Sequence, residues 1–381
     1  MRCFRTFAFI LHIIPLFLST SCKSEYPNLD DGIYAEFSTN KGTMVAKLFY
    51  KRTPITCANF ITLTEGTNTM ADSLFKEKKF YNNSTFHRVI DSFIIQSGRP
   101  SSYGMPDAGF RFIDEFDRTL KHDKKGILAM ANPGKINSNG SQFYITHGKA
   151  PWLDAYDDEG FLKFCEEDYV YCHSVFGEVL IGLNIIDSIK LNDTLKTVNI
   201  IRKGKEAKNF DATKIFNDHF EEEAIKEKEL KDVEEAIIKR TVRKFEKQKS
   251  KAETLPSGLQ YFVSKPGEGD KLPKNAKVMT HYAVYLENGK LLETSNLETA
   301  KLLNALNERK LDSEGYKPIK ADIGPDAPMI PGFKEGLQQL RVGDKATLFL
   351  PYHLAYGEAG IEGIPEKTNL IYEVEIIEIV K

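Results

Sequence analysis

Arg88 lies in the stretch Phe86-His87-Arg88-Val89-Ile90-Asp91-Ser92-Phe93-Ile94-Ile95-Gln96-Ser97-Gly98. Its guanidinium stays charged at any working pH and presents a rigid fork of N–H donors. A donor of this kind can favour one electronic state of a bound group over another without making a covalent bond to it. The chain offers little for other chemistries. No Ser/His/Asp or Cys/His set stands in a nucleophile context, which leaves a hydrolase without support. No CxxC pair or Cys/His cluster suggests a metal, and no cofactor is expected.

The elements that must position such a donor read as mostly β. From Ile33 to about Lys203 short runs alternate apolar and polar residues, as in Ile33-Tyr34-Ala35-Glu36-Phe37 and Thr43-Met44-Val45-Ala46-Lys47-Leu48-Phe49. Turn residues such as Asn132-Pro133-Gly134 and Asn137-Ser138-Asn139-Gly140 separate them, which suits a closed antiparallel barrel with few helices. From about Glu206 to Lys251 the pattern changes to alternating Lys and Glu without Pro or Gly. Leu230, Val233, Ile237, Thr241 and Phe245 recur at three- and four-residue intervals, which predicts one charged helix with an apolar stripe. It reads as a spacer packed on a neighbouring domain, with a dimerising coiled coil as the alternative. After Leu255-Pro256-Ser257-Gly258 strands return, and one helix is expected between Gly332 and Leu340. At 381 residues the chain is long enough for two domains. With 41% hydrophobic and 28% charged residues and a formal charge of −2 it has a globular composition and no basic excess, so nucleic acid is not an expected partner.

The Arg88 stretch closely resembles the active-site strand of cyclophilins, the proline-isomerising immunophilins. Gly126-Ile127-Leu128-Ala129-Met130-Ala131-Asn132, Asn139-Gly140-Ser141-Gln142-Phe143-Tyr144, Trp152-Leu153-Asp154 and His173-Ser174-Val175-Phe176-Gly177 follow in the family's order and approximate spacing. The reaction implied is rotation about an X-Pro bond, whose barrier of about 18 to 20 kcal/mol arises from amide resonance. A donor aimed at the prolyl nitrogen favours the twisted amide of the transition state. By resemblance Arg88 is that donor. Phe93, Ile94, Tyr144 and Leu153 build the proline slot, Gln96 and Gln142 hold substrate amides, Asn132 meets the substrate backbone and His173 lines the pocket. Trp152 matches the residue associated with cyclosporin binding, which implies a cyclosporin-type ligand. Tyr144 stands where the family commonly has Phe, a change expected to be tolerated if the hydroxyl reaches solvent. Between Asp154 and His173 lies an extra segment of some 15 residues, rich in acidic and aromatic residues and holding Cys165 and Cys172.

The second half resembles the macrolide-binding immunophilins, the FKBP family, over about 125 residues, through Val278-Met279-Thr280-His281-Tyr282 and Leu354-Ala355-Tyr356-Gly357. The resemblance implies a sheet wrapped on one helix and an apolar cup of Tyr282, Ile319, Met329, Ile330, Phe333, Tyr356 and Tyr372. The Ile330 amide and the Tyr356 hydroxyl would hold ligand carbonyls, and Gly332 would permit close approach. Three departures stand out: Leu292-Glu293 replaces the family's Phe-Asp pair, Phe333 replaces its floor Trp, and a helix-like insertion runs from Asn296 to Lys310.

At the N-terminus Arg2 and Arg5 precede an apolar run from Phe7 to Leu18 that ends in small residues before Cys22. This reads as an export signal, too short for a spanning helix. Cys22 resembles the lipid-modified cysteine of bacterial lipoproteins, although Ser19 stands where Leu is usual, and an ordinary secretory cut is the alternative. Export places the remaining cysteines in an oxidising compartment. Cys165 and Cys172 either pair within one loop or stay as buried thiols, and Cys57 reads as a small core residue. The expected organisation is a signal at 1–21, a cyclophilin-like domain at 31–205, a helical linker at 206–254 and an FKBP-like domain at 255–381. The expected protein is mainly β with helices, located in the cell envelope with membrane contact through the lipid alone. It isomerises prolines in exported clients, and a non-enzymatic chaperone using the same pockets and the apolar helix is the alternative.

Overall fold

The computed structural model describes residues 26–98, 108–167 and 170–380, so the N-terminal apolar run and Cys22 lie outside the described residues. No helix among them is long and apolar enough to cross a membrane. The chain divides into two compact units, 1–222 and 223–381.

The first unit contains β1 (Gly32–Thr39), β2 (Thr43–Leu48), α1 (Pro54–Glu65), β3 (Ser84–Thr85), β4 (Arg88–Ile90), β5 (Ile94–Ser97), β6 (Ile127–Met130), β7 (Phe143–Thr146), β8 (Val175–Ile181), α2 (Leu183–Ile186), β9 (Thr194–Lys203) and α3 (Gly204–Asn209). The strands form one antiparallel sheet in the order β3-β9-β1-β2-β8-β6-β7-β5-β4. The sheet curls back on itself, and Ser97 Oγ, which donates to the Thr85 carbonyl at 3.0 Å, links β5 to β3. Alternation explains what the curl encloses, because successive strand residues face opposite sides. Ile95, Phe143, Ile145, Leu128 and Met130 point into the main core, whereas Ile94, Tyr144, Ala129 and Ile127 form a separate cluster on the other face. Phe60 of α1 packs with Tyr81, Phe143 and Phe176 at centroid separations of 5.0, 5.5 and 5.4 Å. Cys57 is a free, buried core residue, as expected. Cys165 and Cys172 are joined in a disulfide, which decides between the two readings of that pair.

Helix α1 begins with Pro at its first turn, but its N-cap Thr53 makes no side-chain cap. The orphan amides are met from 60 residues away. Glu115 accepts from the Ile55 amide at 3.1 Å, the Thr56 amide at 2.6 Å and the Thr56 hydroxyl at 2.8 Å. A carboxylate at a helix N-terminus also complements the helix dipole.

The charged segment forms α4 (Ala212–Lys249), which starts at Ala212 because Asp211 accepts from the Lys214 amide at 3.0 Å. Within the first unit its Phe216 is buried against Phe110 and Phe112. Within the second, Thr241 and Phe245 are buried, and Phe245 packs on Tyr285 at 5.0 Å. Leu230 and Val233 of the stripe stay exposed.

The second unit continues with β10 (Glu253–Thr254), β11 (Gln260–Lys265), β12 (Lys277–Leu286), β13 (Leu291–Thr294), α5 (Leu297–Leu302), α6 (Glu308–Asp312), β14 (Ile319–Asp322), α7 (Pro331–Leu337), β15 (Lys345–Leu350) and β16 (Leu370–Val380). Its antiparallel sheet runs β10-β11-β15-β16-β12-β13, with β14 also on β12. Helix α7 buries Phe333 and Leu337 in that unit's core. A Cβ at Gly332 would meet Leu350 Cγ at 2.7 Å, so the glycine does permit a close approach. The insertion is two short helices, α5 and α6, each capped by an asparagine: Asn296 accepts from Thr299 and Asn307 from Lys310.

Replacing Glu115 with alanine strips α1 of its only side-chain cap and should lower the stability of the first unit by about 1 to 3 kcal/mol. Urea unfolding followed by circular dichroism reads the loss.

Candidate functional site

Strand register assembles the first site. Arg88 lies opposite Gln96 across β4 and β5, Gln96 opposite Tyr144 across β5 and β7, and Tyr144 opposite Ala129 across β7 and β6. Residues in register on neighbouring strands share a face, so side chains from four strands form one row on the outer side of the curled sheet. Arg88 Nη1 donates to Gln96 Oε1 at 3.1 Å, and Gln96 Nε2 donates to Gln142 Oε1 at 3.1 Å. The guanidinium carbon stands 5.9 Å from the centre of the Phe93 ring, and Phe93 lies 5.5 Å from the exposed Trp152 ring. Ile94, Tyr144 and Leu153 are buried in the apolar cluster that Phe93 joins. The structure therefore brings together Arg88, Phe93, Ile94, Gln96, Gln142, Tyr144, Trp152 and Leu153.

The hairpin tip that carries Phe93 is held from behind. Ser92 takes a left-handed conformation at φ 62° and donates its amide to His147 Nδ1 at 3.1 Å. His147 Nε2 then faces the Ile186 carbonyl at 2.9 Å, so the proton belongs on Nε2. The His147 amide in turn donates to the Phe93 carbonyl at 2.8 Å. Nothing in the sequence order singles out His147, which stands 54 residues beyond the ring it supports.

One expected residue is placed differently from the sequence reading. The Tyr144 hydroxyl does not reach solvent: it meets His122 Nε2 at 2.7 Å, and His122 Nδ1 meets Asp154 Oδ1 at 2.7 Å, all three residues being buried. Asp154 also accepts from the His122 amide at 2.7 Å. The change from Phe is thus absorbed by an internal polar chain, because a buried hydroxyl needs a partner. Burial, followed by the Asp154 charge, pushes the Tyr144 phenol well above its ordinary range. The Asn132 side chain is engaged with the scaffold, donating to the Cys172 carbonyl at 3.1 Å and accepting from the Gly134 amide at 3.1 Å. Gln96, Asn132 and Gln142 line one cavity of about 260 Å³ together with Arg111, which sequence reading missed.

His173 packs edge-on against Tyr144 at 5.5 Å, with Nδ1 3.0 Å from the Met130 carbonyl. Loss of hydration, followed by the nearby His122, lowers its pKa to about 4. It is a neutral ring at physiological pH and supplies shape, not charge. A larger cavity of about 610 Å³, lined by Lys47, Lys51, Arg52, Lys203 and Lys205, contains none of these residues. Its Lys51 pairs with Glu206, and Lys203 is held by the Tyr26, Pro27 and Leu29 carbonyls.

In the second unit one cavity of about 580 Å³ is lined by Tyr282, Leu292, Glu293, Ile319, Met329, Ile330, Phe333, Tyr356 and Tyr372, which is every residue expected there. Phe333 and Tyr372 rings stand 5.1 Å apart at its floor. Ile330 is extended because Pro331 follows it, which keeps it just outside α7. Burial, then hydrogen bonding to Glu293, raises the Tyr282 phenol. Burial would also raise Glu293, but Lys310 Nζ at 2.9 Å and the Tyr282 hydroxyl hold its carboxyl below the usual range. Lys310 belongs to the insertion and also donates to the Thr294 carbonyl at 2.8 Å. Sequence reading marked Glu293 as a departure but could not supply its counter-ion.

Two outcomes follow from the buried polar groups. Tyr144→Phe leaves His122 Nε2 without its partner and should cost about 1 to 3 kcal/mol of stability, while peptide isomerisation changes little because the ring remains. His173 has a folded pKa near 4 against an ordinary 6.5, so the unfolded chain takes up the proton first. Stability of the first unit should therefore fall by about 2 to 3 kcal/mol as pH drops through that interval, and His173→Gln should flatten the profile measured by urea titration.

Comparison with known proteins finds an isomerase family in each half of the chain. A family model for cyclophilin-type peptidyl-prolyl cis-trans isomerases matches residues 34–208, and one for FKBP-type peptidyl-prolyl cis-trans isomerases matches residues 269–377. Peptidyl-prolyl cis-trans isomerase-like 1 of Emericella nidulans is 36% identical over 161 residues, covering 42% of this chain and 82% of its own. Peptidyl-prolyl cis-trans isomerase A of Mycobacterium tuberculosis is 40% identical over 149 residues, covering 38% of this chain and 72% of its own. A crystal structure of a Cryptosporidium parvum cyclophilin-type isomerase aligns with a TM-score of 0.35 at 28% identity, over 45% of this chain and 98% of that one. The chain thus belongs to the cyclophilin-type peptidyl-prolyl cis-trans isomerases and carries an FKBP-type isomerase domain in the same polypeptide.

Proposed function

We propose that this isomerase accelerates the folding of exported proteins, that its first unit supplies most of the catalysis, and that it is held at the cell envelope of a bacterium by lipid on Cys22. The Arg88–Gln96–Gln142 row beside the Phe93 ring carries the reading of the first unit. A prolyl ring seated among Phe93, Ile94, Tyr144 and Leu153 would bring its nitrogen toward Arg88, while Gln96 and Gln142 hold the flanking amides. A charge-assisted hydrogen bond of about 1.5 to 3 kcal/mol converts to about one or two powers of ten in rate, so apolar grip and peptide positioning supply the rest.

The Cys165–Cys172 disulfide supports an oxidising compartment, in keeping with the export signal read at 1–21. Slow X-Pro rotation limits the folding of many chains there, which gives the activity its use. A cyclosporin-type ligand would lie on the exposed face of Trp152.

The second unit is better suited to holding a client than to turning it over. Glu293 faces the Lys310 ammonium, and Phe333 offers less aromatic surface than a tryptophan floor. A chaperone contribution therefore comes from this unit if it comes from either.

Isomerisation of a proline-containing tetrapeptide by the full chain tests the assignment. Arg88→Ala should lower kcat/KM by about 10- to 100-fold, and Tyr356→Phe by less than about twofold. Activity that survives Arg88→Ala and collapses in Tyr356→Phe would reverse the order of the two units. Cyclosporin should inhibit the wild-type chain and fail to inhibit Trp152→Ala. Lipid on Cys22 would appear as a diacylglyceryl mass on the N-terminal peptide of the mature protein, and an unmodified cysteine there would exclude the anchor.

A further inference from the structure

Among the described residues, those between Asp154 and His173 form a built element. Residues 155–163 fold as a small hairpin: the Lys163 amide donates to the Ala155 carbonyl at 2.9 Å, the Asp157 amide to the Phe161 carbonyl at 3.0 Å, and Tyr156 bridges Leu162. The Cys165–Cys172 disulfide then closes it over a miniature core with Phe116 and Ile136. Three bonds fasten the element to the first site. Lys163 Nζ donates to the Trp152 carbonyl at 3.0 Å, the Cys172 carbonyl accepts from Asn132 at 3.1 Å, and the His173 amide donates to the Leu153 carbonyl at 3.1 Å.

This fixed element turns apolar side chains toward water. Phe161 is 69% exposed, Leu162 54%, Phe164 77% and Tyr171 45%, beside Trp152 at 56%. Among the described residues no other phenylalanine is exposed to this degree. Large apolar side chains held in water on one ordered element mark a surface that something covers. The element is joined to the slot through Trp152, whose carbonyl accepts from Lys163 Nζ and whose ring stands 5.5 Å from Phe93. Asp158, Glu159, Glu166 and Glu167 are exposed around it, and no lysine or arginine between 155 and 167 is exposed. Such a rim disfavours an anionic lipid surface.

We propose that this ledge is an extended binding site for the client itself: an unfolded, apolar stretch of net positive charge that flanks the proline held in the slot. The inference rests on the reading of the Arg88 slot as the isomerase site. Covering two phenylalanines that are otherwise in water raises affinity for a long client and does nothing for a substrate too short to reach them.

The experiment compares the full chain with the double variant Phe161→Ser/Phe164→Ser in two assays. Both side chains are exposed, so folding should be preserved, and circular dichroism checks this. On a tetrapeptide the variant should keep its kcat/KM within about twofold. In catalysed refolding of unfolded ribonuclease A, a basic protein whose slow phase is prolyl isomerisation, it should lose about 10-fold in kcat/KM, mostly through KM. A Cys165→Ser/Cys172→Ser variant should show the same split more weakly. Equal catalysis of refolding by wild type and the Phe161/Phe164 variant would overturn the proposal. So would a wild-type dimer in sedimentation that the variant dissolves without change in refolding, or phosphatidylglycerol vesicle binding lost under the same condition. Arg88→Ala run alongside separates the premises: if it leaves tetrapeptide turnover intact, the slot assignment fails, whatever the ledge does.

Discussion

A β-strand must show successive side chains to opposite faces, and the first unit depends on that constraint at β5 and β7. Ile95, Phe143 and Ile145 go inward to the core around Phe60, while Ile94, Gln96 and Tyr144 go outward to the slot. The same register that sets the ladder therefore sets the distance from Arg88 to the Ile94 and Tyr144 cluster. A slip of one residue would exchange core for slot, so the packing that stabilises the unit also holds the site in place.

Polar groups behind the slot do the remaining positioning. His147 holds the Ser92 turn and so the Phe93 ring, and Asp154 with His122 ties the Tyr144 hydroxyl. Asn132 is fastened to the disulfide loop. In each case a polar side chain holds another part of the scaffold in place. The charged donor left facing outward is Arg88, whose fork is steadied by Gln96 on one side and the Phe93 ring on the other. The second unit follows a different rule. Its cup gathers residues from β12, β13, β14, α7 and β16, and of its two acidic lining residues, Glu293 and Glu362, Glu293 is balanced by Lys310 from the insertion. The two pockets thus differ in their electrostatics.

Much of this could be read from the chain before any coordinates. Short alternating runs announced the strands, the Lys/Glu segment announced α4, and the motif blocks around Arg88, Gln142 and Trp152 named residues that the fold does collect in one place. All nine residues expected in the second cup line it. Legibility was poorest for long-range polar contacts. The Glu115 cap on α1, the His122 partner of Tyr144 and the Lys310 partner of Glu293 each join residues well apart in sequence, in types that are ordinary on a solvated surface.

What the sequence determined by itself was the class of each half, the two strand-borne pockets and the residues that line them, because periodicity and local motifs are properties of neighbours along the chain. Only the tertiary structure decided which way Tyr144 points, that Cys165 and Cys172 are bonded, and that Phe161 and Phe164 stand in water beside Trp152. Those outcomes depend on which buried polar group lies within reach and on how much apolar area neighbouring elements can cover. Both are set by packing between distant segments, where no local pattern carries the information.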